Sequence, residues 1–280
     1  MEIQQLTKSH IPDLLSLCDA VGWLQHESFM RQQFEMYLSI GTLFGGMNQN
    51  KLVASSGVFS FEPGFSSIGM LIVHPSCQRQ GMGRTLLDVC VHQTLLPSLP
   101  VMLIATEAGM PLYQACGFTT VTSIHRFEKL VTNSSMNLSH VQQIEKHDFN
   151  TLIQLDRIAT GAYRPHLYSL LHSRTCFTFK IERNHKIESF ALCIQKGDTL
   201  CITPLIAQHD EDAIQLLQTI CKSWNGTIRI DVPHSQFAFR AHLESNGFQE
   251  TLLSPFMIKN GNHLPGNRDH LFAMMDAALC

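Results

Sequence analysis

The residues best suited to chemistry lie in one run, Leu71-Ile72-Val73-His74-Pro75-Ser76-Cys77-Gln78-Arg79-Gln80-Gly81-Met82-Gly83-Arg84, followed by the apolar stretch TLLDVCV. A strand-like apolar segment ends at Val73, Pro75 breaks it, and two glycines lead into a helical pattern. Glycine lets a ligand approach the backbone with no side chain in the way. Unpaired N–H groups at a helix start, with the positive end of the helix dipole, suit a pyrophosphate. Arg79 and Arg84 add charge at the rim. Other phosphate loops fit less well. A G-x-x-x-x-G-K-[ST] loop needs Lys-Ser or Lys-Thr after its glycines, and neither follows here. A dinucleotide fingerprint needs G-x-G-x-x-G in the first strand–helix turn, whereas this run lies in mid-domain and lacks the third glycine. The plain alternative is a glycine-rich strand-to-helix turn that binds nothing, and the glycines alone do not separate the two.

A second run, Ala105-Thr-Glu-Ala-Gly-Met-Pro-Leu-Tyr113-Gln-Ala-Cys-Gly117-Phe118, reads as the end of a strand, a short helix and a glycine stop. Together the two runs resemble the GNAT acetyltransferases. Gln78-Arg-Gln-Gly81-Met-Gly83 is similar to that family's [RQ]-x-x-G-x-[GA] acetyl-CoA loop, with the V-x-P before it. The later run resembles its strand–helix unit ending L-Y-x-x-x-G-F. The whole chain is similar to tandem proteins in which a second, small GNAT-like domain follows the catalytic one. Leu155–Arg164 and Arg229–Pro233 resemble that group less sharply.

The elements that must position these runs follow from patterning. Ile3–Leu6 reads as a strand, the region from Ser9 to about Val21 as a helix, and Ser28–Ser39 as another. Strands are expected at Leu43–Met47, Leu52–Phe61 and Ile68–Val73, separated by turn residues. A helix over Gly83–Thr94, a strand Val101–Ala105, a helix Met110–Ala115 and strands Phe118–Val121 and Ile124–Leu130 complete the half. The polar stretch Val131–Ser139 reads as a linker, giving domains 1–131 and 138–280.

Beyond it the order restarts. Helices are expected at His147–Ala159 and Arg164–His172, and strands at Thr175–Glu182, Ile187–Gln195 and Thr199–Pro204. A helix over Asp210–Trp224, a strand Thr227–Val232 and a helix Ser235–Ser245 follow. VMLIAT then MPLYQACGF matches TIRIDV then FRAHLESNGF when Gly117-Phe118 is set on Gly247-Phe248, which points to a tandem repeat. The expected fold class is α/β (α+β), with two GNAT-like domains, each a mixed, mostly antiparallel sheet flanked by helices.

Composition sets outer bounds. The chain has 280 residues, 44% hydrophobic and 15% charged, enough for two cored domains and unlike a disordered chain. A net charge of −3 and the absence of any like-charge block argue against nucleic acid as partner. No apolar run approaches the ~18–20 residues of a membrane span, and the polar start is no signal peptide, so no membrane role and a cytoplasmic location are expected. Nine cysteines without a C-x-x-C pair read as buried free thiols, and fifteen dispersed histidines without H-x-x-x-H give no metal site.

The resemblance implies roles. Backbone N–H groups from about Arg79 to Arg84 would hold the pyrophosphate of acetyl-CoA, making Gln78, Arg79, Gln80, Gly81, Met82, Gly83 and Arg84 the loop contacts. The strand Met70–Val73, through Leu71, Ile72 and Val73, would pair with the pantetheine arm. The thioester would sit in a splayed gap between Ile68–Val73 and Val101–Ala105, with a backbone N–H such as that of Val73 on its carbonyl. Tyr113 would protonate the leaving thiolate; the alternative is a packing tyrosine with its hydroxyl at the surface. For the base, Glu62, Glu107 and His74 are candidates beside a chain of waters. Trp23, Gln25 and His26, between the first two helices, would shape the acceptor pocket. In the second half the loop position reads Pro204–Asp212, without glycine and with three carboxylates, and Leu243 replaces Tyr113. One active site is therefore expected, with Asp231, Arg164 and Tyr163 as polar candidates from the second domain. The resulting expectation is an enzyme that transfers acetyl from acetyl-CoA to the primary amine of a small molecule or amino acid derivative, by direct attack in a ternary complex. The chain would act as a monomer or weak homodimer. Acetylation of a protein or peptide, and a non-catalytic acyl-CoA sensor, are the alternatives.

Overall fold

The computed structural model describes residues 2–94, 98–132 and 141–280, and within it the chain divides into two units. The first comprises Met1–Thr120, Met257–His263 and Ala277–Cys280. Its elements are β1 (Glu2–Gln5), α1 (Ile11–Ala20), α2 (Glu27–Ile40), β2 (Thr42–Asn48), β3 (Lys51–Phe61), β4 (Phe65–Val73), α3 (Met82–His92), β5 (Val101–Ile104) and α4 (Met110–Ala115). In α1, Ile11, Leu14, Leu15, Leu17 and Cys18 fall on one face and are all buried, and Pro12 sits in the first turn, where its missing N–H costs nothing. Gln49 and Asn50 take positive φ (48° and 61°), the conformation of a tight two-residue hairpin turn joining β2 to β3. The sheet runs β1-β2-β3-β4-β5, antiparallel except for β4 and β5. One core cluster joins Ile68, Leu87, Cys90, Leu103, Tyr113 and Phe118.

The second unit comprises Val121–Phe256 and Leu264–Asp276. It is built from β6 (Thr119–Val131), β7 (Val141–Gln143), α5 (Phe149–Thr160), α6 (Pro165–His172), β8 (Phe177–Arg183), β9 (Lys186–Lys196), β10 (Thr199–Ile206), α7 (Asp210–Ser223), β11 (Gly226–Pro233), α8 (Phe237–Ser245), β12 (Gln249–Lys259) and β13 (Leu271–Ala273). The plan of the first unit recurs. Asn184 and His185, at φ 51° and 59°, make the same hairpin turn between β8 and β9. β10 and β11 form the parallel pair, from Thr199↔Thr227 to Ile202↔Ile230. Both α4 and α8 stop at a left-handed glycine, Gly117 (φ 83°) and Gly247 (φ 81°). In each case the next phenylalanine N–H reaches back to the same helical carbonyl, Phe118 to Tyr113 and Phe248 to Leu243, both at 3.0 Å. That shared cap places Leu243 at the position of Tyr113.

The structure departs from the sequence reading in its strands, since β7 and β13 lie outside every expected strand. Phe118–Val121 and Ile124–Leu130, expected as separate strands, form the single thirteen-residue strand β6. Its pairing with β11 runs without interruption from Val131↔Gly226 to Ile124↔Pro233, and just beyond it the His234 N–H donates to Ser123 O at 2.9 Å, so the chain stays extended where a break was expected. The two compact units exchange strand ends. Most of β6 belongs to the second unit, and the end of β12 belongs to the first. From residue 133 onward the expected linker lies outside the described residues.

Inside the second unit, Arg164 and Asp156 are nearly fully buried and joined by two contacts of 2.6 and 2.9 Å. Asp156→Ala would leave a buried guanidinium without its carboxylate, so a loss of roughly 3–5 kcal/mol is expected in chemical denaturation. Asp231 is held by Arg229 and Arg126 in paired contacts of 2.6–3.2 Å. Burial pulls its carboxyl up, but the two guanidiniums outweigh this and hold it at about 2. Its folded value lies below its unfolded one, so its stabilisation is present above about pH 4 and is lost as pH falls toward 2. An acid titration of Asp231→Asn should show a flatter loss of stability across that window than the parent.

Candidate active site

β3 and β4 pair as Ala54↔Val73 and Ser55↔Ile72, then as Gly57↔Gly69, so an extra residue of β4 is accommodated near Met70. Met70 takes φ 53°, rare for a side chain of its size, and the buried Ser55 hydroxyl donates to its carbonyl at 3.0 Å. On the other edge, the β4–β5 ladder is confined to Ser66↔Val101 and Ser67↔Met102 among the described residues. Beyond Ser67 the two parallel strands part. The His74 N–H donates to Val53 O on the β3 side. Successive N–H groups alternate along a strand, so Val73 N–H points to the edge that β5 has left. The bulge thus lies beside a gap that can receive an extended chain.

The loop that follows is shaped by its backbone. Pro75–Cys77 forms a 3-10 turn, then Arg79 and Gly81 take φ 60° and 82°. Two left-handed residues so close together turn neighbouring N–H groups toward one concavity. α3 starts directly after Gly81, and its first helical bond runs from Thr85 N–H to Gly81 O at 3.0 Å. The N–H groups of Met82, Gly83 and Arg84 are therefore the orphan donors of the helix start. A Cβ built on Gly81 meets nothing within 4 Å, so the glycine serves conformation and leaves open space, whereas one on Gly83 stands 3.2 Å from Leu112. Gln78 Nε2 donates to Val73 O at 3.1 Å and ties the loop to the strand end. Met82 is buried with Ala54, Cys77 and Leu86, while Gln78, Arg79, Gln80 and Arg84 are exposed. The loop is suited to an anionic group held by backbone donors with arginines at its margin, which is the cradle a pyrophosphate requires.

Tyr113 is 8% exposed, in the cluster that contains Ile68 of β4 and Leu103 of β5. Its ring stands edge-on to Phe118 at 6.1 Å. Burial, with a smaller contribution from Cys90, pushes the phenol up to about 12, so it carries its proton throughout the neutral range.

The remaining sequence candidates are dispersed. Glu62 is exposed in the turn joining β3 to β4, and Phe65, the start of β4, lies roughly 16 Å along the strand from the bulge at Met70. Glu107 is exposed after β5. His74 Nδ1 is engaged by Ser76, 2.7 Å from its hydroxyl and 3.3 Å from its N–H, which makes the ring a cap on the turn. Trp23, Gln25 and His26 are exposed between α1 and α2. Among the described residues, none of the three hydrogen-bonds to β4 or Tyr113. Asp231 and Arg164 are committed to the ion pairs above, and Tyr163 is exposed beneath the Arg157 guanidinium at 5.9 Å. Sequence reasoning missed the bulge at Met70 and the buried serines beside it, since only the register of β3 on β4 reveals them.

The equivalent position in the second unit is closed by its own chain. β13 pairs with β10 (Leu205↔Ala273, Ile206↔Leu271), and Met274 N–H donates to Asp231 O of β11 at 2.9 Å. Thr203 Oγ donates to Met275 O on the same segment. The gap beside β10 is thereby occupied by backbone. At the start of α7, Asp212 is fully buried and accepts from Arg183 at 2.5 and 2.8 Å and from Ser189 at 2.7 Å. Burial raises this carboxyl, but those donors win and keep it below its usual range. Beside it in the same first turn, Asp210 and Glu211 add carboxylates that oppose an anion there.

Two family models, each described as an acetyltransferase (GNAT) domain, match residues 23–139 and 152–273. The chain belongs to the GNAT acetyltransferases, carries two such domains and is an acyltransferase. YitH of Bacillus subtilis (strain 168), described as an uncharacterized N-acetyltransferase, is 28% identical over 99% of this chain and 98% of its own length. A provisionally assigned acetyltransferase from Pyrococcus horikoshii superposes with a TM-score of 0.83 at 18% identity, over 100% of this chain and 95% of that one. A tandem GNAT protein from the clavulanic acid biosynthesis pathway gives a TM-score of 0.67 at 10% identity, covering 93% and 98%. At these identities the two structures speak for the fold. Among the described residues no group of His, Cys, Asp and Glu side chains is placed to hold a metal ion, and no helix is long and apolar enough to cross a membrane.

Proposed function

We propose that this chain transfers the acetyl group of acetyl-CoA to the primary amine of a small molecule or amino acid derivative, by direct attack in a ternary complex within the first unit. The observation that carries this reading is the bulged, parting edge of β4 leading directly into a loop whose orphan N–H groups begin α3. Bound there, acetyl-CoA supplies an activated thioester. Residues 79–84 bind its pyrophosphate through the main chain, and Leu71, Ile72 and Val73 offer the strand edge to its pantetheine arm. A backbone N–H of this edge, beside the bulge, donates to the thioester carbonyl. Tyr113 holds a proton for the departing thiolate, which favours an enzyme over a passive acyl-CoA sensor. Glu62 stands far along the strand from the bulge and His74 Nδ1 is engaged by Ser76, so the amine proton leaves through a chain of waters, with Glu107 the remaining side-chain candidate. The protein acts in the cytoplasm, as a monomer or weak homodimer, and needs no metal.

A screen of amines and amino acids with acetyl-CoA, reading released thiol, tests the proposal. Turnover with at least one small primary amine is expected. Turnover only on peptides would move the acceptor class, and acetyl-CoA binding without turnover on any amine or peptide would refute catalysis.

A further inference from the structure

Residues 277–280 belong to the first unit and lie against β4 one residue before the bulge. The contact is close: a Cβ built on Gly69 would stand 2.7 Å from Ala278 Cα and closer still to its Cβ. Ser67 Oγ donates to Ala278 O at 2.8 Å, and both residues are buried. Leu279 and Cys280 are 0% and 1% exposed. Ile68 points into the cluster with Leu87 and Cys90 of α3. Alternation then turns Ser67 and Gly69 to the opposite face of β4, so the segment covers that face. Between Ala278 and Gly69 there is no room for even one methyl group.

We propose that the segment 277–280 is a specificity-determining wall at the transfer end of the site, limiting the acyl group to about the size of acetyl. This rests on the reading that the bulge receives the thioester. An acyl chain extended past Met70 along that face meets backbone and side chain already packed on Gly69, and a longer chain has to displace the segment. Gly69 is then the residue whose missing side chain lets the wall stand so close to the strand.

The test is calorimetric binding of acetyl-, butyryl- and hexanoyl-CoA to the full chain. Affinity should fall at least about tenfold from acetyl to hexanoyl, within what added methylenes cost in a closed pocket. Two variants displace the wall from opposite sides: Gly69→Ala from the strand, Ala278→Glu from the segment. Both should narrow the acetyl-to-hexanoyl ratio to less than about threefold. Iodoacetamide labelling of the peptide that carries Cys280 reports displacement independently of binding. Parent protein that binds hexanoyl-CoA as tightly as acetyl-CoA overturns the proposal, whether or not the variants fold. An unchanged ratio in a variant whose Cys280 has become reactive overturns it as well. Failure of the parent to bind acetyl-CoA at all is a different result, which removes the cosubstrate reading and the wall with it.

Discussion

Gly81→Asp is expected to abolish acetyl-CoA binding in calorimetry while leaving the fold intact. Gly81 sits at φ 82° immediately before α3, and a Cβ there meets no protein atom within 4 Å. Packing therefore accepts the side chain, and the conformational cost is roughly 1 kcal/mol, since aspartate tolerates the left-handed region better than most residues. The electrostatic cost is larger. A carboxylate about 4 Å from a phosphate charge, at an effective dielectric near 20, costs about 4 kcal/mol. That corresponds to nearly three decades in affinity. Gly81→Asn is the control, because it has a similar shape and similar backbone tolerance without the charge; it should weaken binding only a few-fold. Equal affinities for parent and Asp variant would place the cosubstrate elsewhere. Equal losses in the Asp and Asn variants would assign the effect to loop geometry instead of charge.

Tyr113→Phe is expected to lower kcat by roughly 10–10³-fold, with acetyl-CoA affinity nearly unchanged. Phenylalanine keeps the ring in the apolar cluster with Leu87, Leu103 and Phe118 and removes only the hydroxyl. Thermal stability should accordingly hold or rise slightly. The elevated phenol also bounds the mechanism. At about 12 it lies roughly 3.5 pH units above an ordinary thiol, so complete proton transfer to a free thiolate is uphill. Hydrogen-bond donation to the charge as it develops is then the main contribution, which favours the lower part of the range. The sign with pH is fixed as well. Tyr113 is competent while protonated and loses the proton only near pH 12, so any decline of kcat between pH 8 and 10 belongs to another group. Turnover of the Phe variant within about threefold of the parent, a barrier change of only ~0.7 kcal/mol, would reduce Tyr113 to packing and leave thiolate protonation to solvent.

Much of the chemistry was legible because it depends on local backbone rules. Glycine at position 81, the proline break at Pro75 and the apolar run after Arg84 announce a strand, a loop and a helix start in that order. Tyr113 and Gly117 stand at the spacing of one capped helix, and the repeated Gly247 cap exposed Leu243 as the replacement of the tyrosine. The carboxylates of Asp210–Asp212 were visible as an acidic helix start. That Asp212 is fixed there by Arg183 and Ser189 was not, because its partners lie on strands more than twenty residues away.

The sequence by itself determined most of the helices and strands, that a glycine-rich anion loop occurs once, and that the second half repeats the plan without it. These follow from φ preferences, side-chain period and turn chemistry, all of which act within a few residues. Tertiary structure alone decided how strands are paired and where the chain returns. A period of two says which residues share a face of a strand but not which strand lies alongside. The two strands expected on either side of Thr122 and Ser123 therefore proved to be one only in the folded chain, where the β11 ladder reaches Ile124 and His234 N–H bonds Ser123 O. In the same way, only the register of β3 on β4 placed the bulge at Met70. Only the path of the last residues showed that β13 closes the gap beside β10 while Ala278 comes to rest on Gly69.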